Sequence, residues 1–167
     1  MRKSLLKSLI AVLSALQVTT SFAAIIGISA VTFVPRDFSG GTSTPGETSQ
    51  GLLLDAKGRY YAAVVFPSSG NVCKLSLVFR DNDADQNVTA RLIRKGYAAG
   101  GNAFAPPLVM AQVASTGASN PTRVISDATI VQPAVYLGAF YYVELVLPIE
   151  TLEVLGVSID FRTTACP

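Results

Sequence analysis

Val72-Cys73-Lys74-Leu75-Ser76-Leu77-Val78-Phe79-Arg80 alternates apolar and polar side chains. Cys73, Leu75, Leu77 and Phe79 fall on one side, and Lys74, Ser76 and Arg80 on the other. Successive side chains of a β-strand point to opposite faces of its sheet, so a period of two marks a strand with one buried face. Sheets with one wet face are typically antiparallel. The stretch therefore predicts an all-β chain, and its surroundings agree. Pro67-Ser68-Ser69-Gly70-Asn71 is rich in turn formers and ends a strand over Tyr60–Phe66. Asp81 to Asn87 is a polar connection. After it Val88, Ala90 and Leu92 alternate with Thr89, Arg91 and Lys95, which predicts an antiparallel hairpin with the preceding strand.

Further out, Ile25–Val34, Leu108–Ala114, Val124–Val131, Phe140–Leu147 and Leu155–Arg162 read as strands, the last with Leu155, Val157, Ile159 and Phe161 inward. Pro35 to Gln50 is a Gly/Ser/Thr/Pro-rich loop, and Gly96 to Pro107 is a second irregular stretch. Beyond the first residues no segment has a 3.6-residue period. About eight short strands separated by Gly/Pro turns predict a single antiparallel β-sandwich, or jelly-roll-like domain, over residues 24–167.

The first residues read differently. Arg2, Lys3 and Lys7 precede the apolar run Leu9–Val18, and Ser21 and Ala23 occupy the −3 and −1 positions of a cleavage site. Residues 1–23 are expected to be a signal peptide. They carry three of the 13 basic residues and none of the 11 acidic ones, so residues 24–167 have a formal net charge of −1. That balance gives no electrostatic case for nucleic acid. The expected location is beyond the inner membrane, in the periplasm, at the cell surface or outside the cell, with no membrane span after cleavage.

The chain has two cysteines, Cys73 and Cys166, and no histidine or tryptophan. In an oxidising compartment a Cys73–Cys166 disulfide is expected, pinning the C-terminal strand. The lack of histidine excludes Ser-His-Asp and Cys-His catalysis and histidine-ligated metals. No C-x-x-C spacing suggests a redox or zinc site.

A longer series of landmarks carries a resemblance. In order they are Tyr60-Tyr61-Ala62-Ala63-Val64-Val65-Phe66-Pro67, Arg80-Asp81-Asn82, Leu92-Ile93-Arg94-Lys95, Met110-Ala111, Ser115-Thr116-Gly117-Ala118, Tyr141-Tyr142 before Leu147-Pro148, and Leu155-Gly156-Val157-Ser158-Ile159. This order of strand edges and turns, from Tyr60 to Arg162, resembles a group of secreted bacterial β-sandwich (jelly-roll-like) domains of unknown function. The resemblance implies the fold and export, and assigns no residue a role.

Two local features point to ligands. Asp81, Asp83 and Asp85 alternate in a short acidic run, and three carboxylates could converge on Ca²⁺, which takes six to eight oxygens. The run is not an EF-hand, because Gln86 replaces the turn glycine and Leu92 the bidentate glutamate. The alternative is a solvated connection rich in turn formers. Tyr60-Tyr61 and Tyr141-Tyr142 each place one ring on each face of a strand, so the outward rings could stack on sugars while the inward ones pack. Glu144, Glu150, Glu153 and Asp160 are the remaining candidates for acid chemistry; without paired spacing they read as surface charges.

These observations predict an exported, non-catalytic structural or interaction protein of the bacterial envelope or surface. Self-assembly would come from Ile25–Gln50 adding a strand to a neighbouring sheet. The expected partners are further copies, surface proteins or glycans. The alternative is a carbohydrate- or Ca²⁺-binding module, with structural Ca²⁺ at Asp81, Asp83 and Asp85 as the one candidate cofactor.

Overall fold

The computed structural model describes residues 22–36, 46–48, 51–53, 57–96, 105–149 and 152–167. The expected leader lies outside these residues, except for Phe22 and Ala23. Along the chain run β1 (Ala23–Ser29), one 3₁₀ turn (Ala30–Thr32), β2 (Val34–Pro35), β3 (Gly46–Thr48), β4 (Gly51–Leu53), β5 (Gly58–Val64) and β6 (Gly70–Asp81). There follow β7 (Thr89–Lys95), β8 (Leu108–Ala114), β9 (Ser119–Asp127), β10 (Ala134–Val135), β11 (Phe140–Leu147) and β12 (Leu152–Arg162).

Ten of these strands form two five-stranded sheets, which gives the expected all-β sandwich. The first sheet runs β1-β12-β6, with β9 and β10 sharing the free edge of β6. The second runs β2-β5-β11-β7-β8. All the pairings are antiparallel. Leu75, Leu77 and Phe79 of β6 are fully buried, as their alternation predicts. With Val154, Val157, Ile159 and Phe161 of β12 they meet Tyr60, Ala62, Val143, Leu145, Leu92 and Met110 from the other sheet in one apolar core. Removing this surface from water is the main force holding the layers together.

Three expectations change. β6 and β7 do not form a hairpin. β6 pairs with β12 and β9, β7 pairs with β11 and β8, and the Asp81–Asn87 connection carries the chain from one sheet to the other. Alternation reveals which face is buried but not which strand is the neighbour. β12 is eleven residues long, pairs ten of them with β6 between Leu152 and Arg162, and takes that edge.

Leu155 is not in the inward row. The β12–β6 register jumps between Val154 and Gly156, and the bulge moves the buried phase to Leu152 and Val154 before Val157 resumes it. The bulge coincides with a close approach, since a Cβ on Gly156 would lie 2.8 Å from the Ile28 carbonyl oxygen.

Ile25–Val34 is not one strand. β1 pairs with β12 of its own sheet, the 3₁₀ turn follows, and β2 joins the other sheet against β5. Ile28, Ala30 and Phe33 are buried in the core, so within this chain the segment packs into its own domain and pairs with both of its sheets. Within the Pro35–Gln50 stretch, Gly46–Thr48 pairs with Gly51–Leu53; residues 37–45 lie outside the described set.

The Cys73–Cys166 disulfide is formed and fastens the chain beyond β12 to β6. No helix among the described residues is long and apolar enough to cross a membrane.

Candidate functional site

The outer face of the second sheet gathers the polar and aromatic side chains of greatest chemical interest. Arg59 and Tyr61 of β5 alternate with buried Tyr60 and Ala62, so they point outward. Tyr142 and Glu144 of β11 stand in the same relation to Tyr141, Val143 and Leu145. Register then brings five residues from five strands into one row: Val34, Tyr61, Glu144, Arg91 and Gln112. Tyr142 stands in the next row, between Ala63 and Ile93.

Glu144 is the centre of this row. The Tyr61 hydroxyl donates to its Oε1 at 2.9 Å. Arg91 Nη1 donates to Oε2 at 3.2 Å, and Arg59 Nη1 lies 3.6 Å from Oε1. Arg91 also donates from Nε to Gln112 Oε1 at 2.7 Å. The Glu144 side chain is 7% exposed, against 47% for Arg59 and 35% for Arg91. The carboxylate thus sits beneath two guanidinium groups. A buried charge is tolerated when it is paired and its lone pairs are occupied, and here both oxygens have partners.

The two outward tyrosines meet edge to face, with ring centroids 5.7 Å apart and planes at 61°. Burial, then the hydrogen bond and charge of Glu144, hold the Tyr61 hydroxyl above its usual pKa. Tyr142 is raised by burial, then by Tyr61 and Glu144. A raised value means that the folded state holds the proton more tightly than the unfolded one. This contribution to stability is complete below the ordinary tyrosine pKa of 10.0 and is lost as pH rises through the folded-state value. Denaturant unfolding above pH 10 should therefore show a steeper loss of stability in the native chain than in Tyr61→Phe. Parallel curves would mean that Tyr61 ionisation is not coupled to folding.

The four tyrosines singled out from the sequence divide by face. Tyr61 and Tyr142 are half-buried on the outer surface, whereas Tyr60 and Tyr141 are core residues. The Tyr141 hydroxyl accepts from the Tyr136 backbone N–H at 2.8 Å, and its ring packs on Phe66. Tyr60 and Tyr141 are therefore unavailable for stacking on a ligand.

Asp81, Asp83 and Asp85 do not converge. Asp81 is fully buried, and its Oδ1 accepts from the Asp83 backbone N–H at 3.0 Å. Asp83 Oδ1 accepts from the N–H groups of Asp85 and Gln86 at 2.8 and 2.7 Å. These are the backbone-capping turns that aspartate forms in connections. Among the described residues no three His, Cys, Asp or Glu side chains are placed to hold a metal ion. Asp81 Oδ2 is buried without a hydrogen-bond partner.

Of the carboxylates read as surface charges, Glu153 pairs with Arg80 at 3.4 Å and Asp160 with Arg162 at 3.3 Å; Glu150 lies outside the described residues. Glu144 departs from that reading, being buried and paired on both oxygens. Arg59, Arg91 and Gln112 carry no local sequence signal for this cluster. Alternation gives the face of each, and only the strand order brings them to Glu144.

No protein-family model and no curated protein matches the sequence. Among solved structures, the chain is similar to the C-terminal CBM6 of a marine laminarinase from Zobellia galactanivorans. That match has 12% identity and a TM-score of 0.49, and covers 81% of this chain and 98% of that one. A xylan-binding module, CBM15, is similar at 10% identity and a TM-score of 0.49, with 86% and 100% covered. The CBM36-1 domain of a xylanase from the hindgut metagenome of Trinervitermes trinervoides is similar at 12% identity and a TM-score of 0.42, with 84% and 96% covered.

Proposed function

We propose that this protein is an exported, non-catalytic glycan-binding module that holds its ligand on the outer face of the second sheet. The observation that carries the reading is the cross-sheet row. Tyr61, Glu144, Arg91 and Gln112 lie side by side on an open sheet face, with the Tyr142 ring next to them. Sugars present apolar C–H faces edged with hydroxyls. Aromatic rings cover the former, and rigidly held planar polar groups meet the latter. The buried Glu144 fixes Tyr61, Arg59 and Arg91 before any ligand arrives, which lowers the ordering cost of binding. Placing this face outside the cell agrees with the leader-like first residues and with the disulfide.

Affinity electrophoresis through gels containing soluble neutral and acidic polysaccharides tests the reading. The native chain is expected to be retarded by at least one of them. Tyr142→Ala should weaken that interaction about tenfold, the usual scale for a central aromatic contact, while leaving the unfolding transition nearly unchanged. Unretarded migration in every gel would remove the proposal.

A further inference from the structure

We infer that the ligand of this face is an acidic glycan, a polysaccharide carrying carboxylate or sulfate groups; this rests on the glycan-binding reading above. The argument is one of donors and acceptors. A neutral sugar hydroxyl both gives and takes hydrogen bonds, so a site for neutral sugars needs acceptors as well as donors. The carboxylate in the row cannot serve, because Tyr61 and Arg59 occupy Glu144 Oε1, Arg91 occupies Oε2, and the side chain is 7% exposed. The Gln112 oxygen already accepts from Arg91 Nε, which leaves it one further lone pair. What the face presents outward is chiefly donors: the remaining N–H groups of Arg59 and Arg91 and the amide NH₂ of exposed Gln112, beside the Tyr61 and Tyr142 hydroxyls.

Charge points the same way. Val34 lies opposite Tyr61 at the edge of this sheet, and alternation puts exposed Arg36, two residues on, on the same face. The Arg36 backbone N–H donates to the Arg59 carbonyl at 2.9 Å, which seats this residue against β5 next to Arg59. Arg59 and Arg91 thus pair with one carboxylate and Arg36 lies beside Arg59 on the neighbouring strand edge, whereas residues 24–167 as a whole carry a formal net charge of −1. A local excess of guanidinium on a slightly acidic chain is complementary to an anion. Guanidinium groups bind carboxylate and sulfate oxygens through paired N–H donors.

The test compares polygalacturonate with its fully methyl-esterified form, which keeps the sugar backbone and removes the charge. Dextran sulfate, uncharged dextran and poly-glutamate complete the set. Titrations use the native chain, Arg36→Gln, the double variant Arg91→Gln/Glu144→Gln and Tyr142→Ala. Arg36→Gln removes a cation and leaves the Glu144 pairs intact, and the double variant removes the Arg91 guanidinium donors at unchanged net charge without stranding the buried carboxylate.

The expected result is binding to polygalacturonate or dextran sulfate at least about tenfold tighter than to the matching uncharged polymer. It should weaken with added salt and in both arginine variants. Which of the two acidic polymers is preferred separates carboxylate from sulfate. Equal binding to charged and uncharged forms, still lost in Tyr142→Ala, would overturn the acidic preference and leave glycan binding standing. Poly-glutamate bound as tightly as the acidic glycans, with Tyr142→Ala unchanged, would overturn the inference in favour of a simple anion surface. Binding to none of the polymers would overturn both readings.

Discussion

Removal of the Cys73–Cys166 disulfide, as the Cys73→Ala/Cys166→Ala variant, is expected to lower the unfolding free energy by about 4 kcal/mol. The two cysteines are 93 positions apart in sequence, with Cα atoms 5.3 Å apart in the fold. A crosslink over so long a loop removes a large part of the freedom of the unfolded chain, and the chain-entropy account puts that near 4–5 kcal/mol. Few contacts would replace it locally. Beyond β12, Thr163 bonds to Phe22 and the Asn71 side chain donates to the Thr164 carbonyl at 3.0 Å, both at exposed positions. Denaturant unfolding with and without reductant, and of the double-alanine variant, measures the effect. A loss below about 1 kcal/mol would show that the unfolded chain is already constrained in this region.

Phe161→Ala is expected to cost about 4 kcal/mol, the usual range for emptying a buried phenylalanine site. Phe161 is fully buried on β12, and its ring lies 5.2 Å from that of Phe66, which stands edge-on to Tyr141 at 4.9 Å. These three rings close one end of the core between the sheets. Gly70 is the counterpart of this packing. A Cβ there would lie 2.6 Å from Phe161 Cζ and would also meet the Arg162 carbonyl oxygen. Gly70→Ala should therefore cost about 2 kcal/mol by overpacking. In a Phe161→Leu background the ring obstacle is gone while the carbonyl remains, so the penalty should shrink without vanishing. A double-mutant cycle by chemical denaturation reads this coupling directly. Strict additivity would mean that the ring does not set the space at Gly70.

What the sequence makes legible divides along a physical line. The faces of β6 and β11 were legible because a side-chain period of two is a local property. Leu75, Leu77 and Phe79 are inside, and β11 spans Phe140–Leu147 as expected. Neighbours were not legible. The expected β6–β7 hairpin failed because pairing depends on every competing edge, and β12, seventy residues further along, was the better match. Leu155 was misplaced for a subtler reason. One skipped residue inverts the phase of everything before it, and the sequence shows the bulge only through the glycine at 156, whose need is a close approach to Ile28. The site suffered most from this limit. Each of its residues was assignable to a face, yet Glu144 lies 83 positions from Tyr61 and 53 from Arg91, and register alone makes them one cluster. Tyr60 and Tyr141 became candidates by adjacency, although each faces the core while its neighbour faces out.

The central place of β12 has a consequence for how the protein is made. β12 lies between β1 and β6, and it follows both of them in the chain. While the ribosome is still producing the earlier strands, β1 has no sheet to join, β6 lacks its longest partner, and Cys73 has no second thiol. Contacts this distant in sequence form slowly and only after the whole set is present. The first sheet therefore cannot close until β12 has been made, and until then β1 and the long edge of β6 stay unpaired with it.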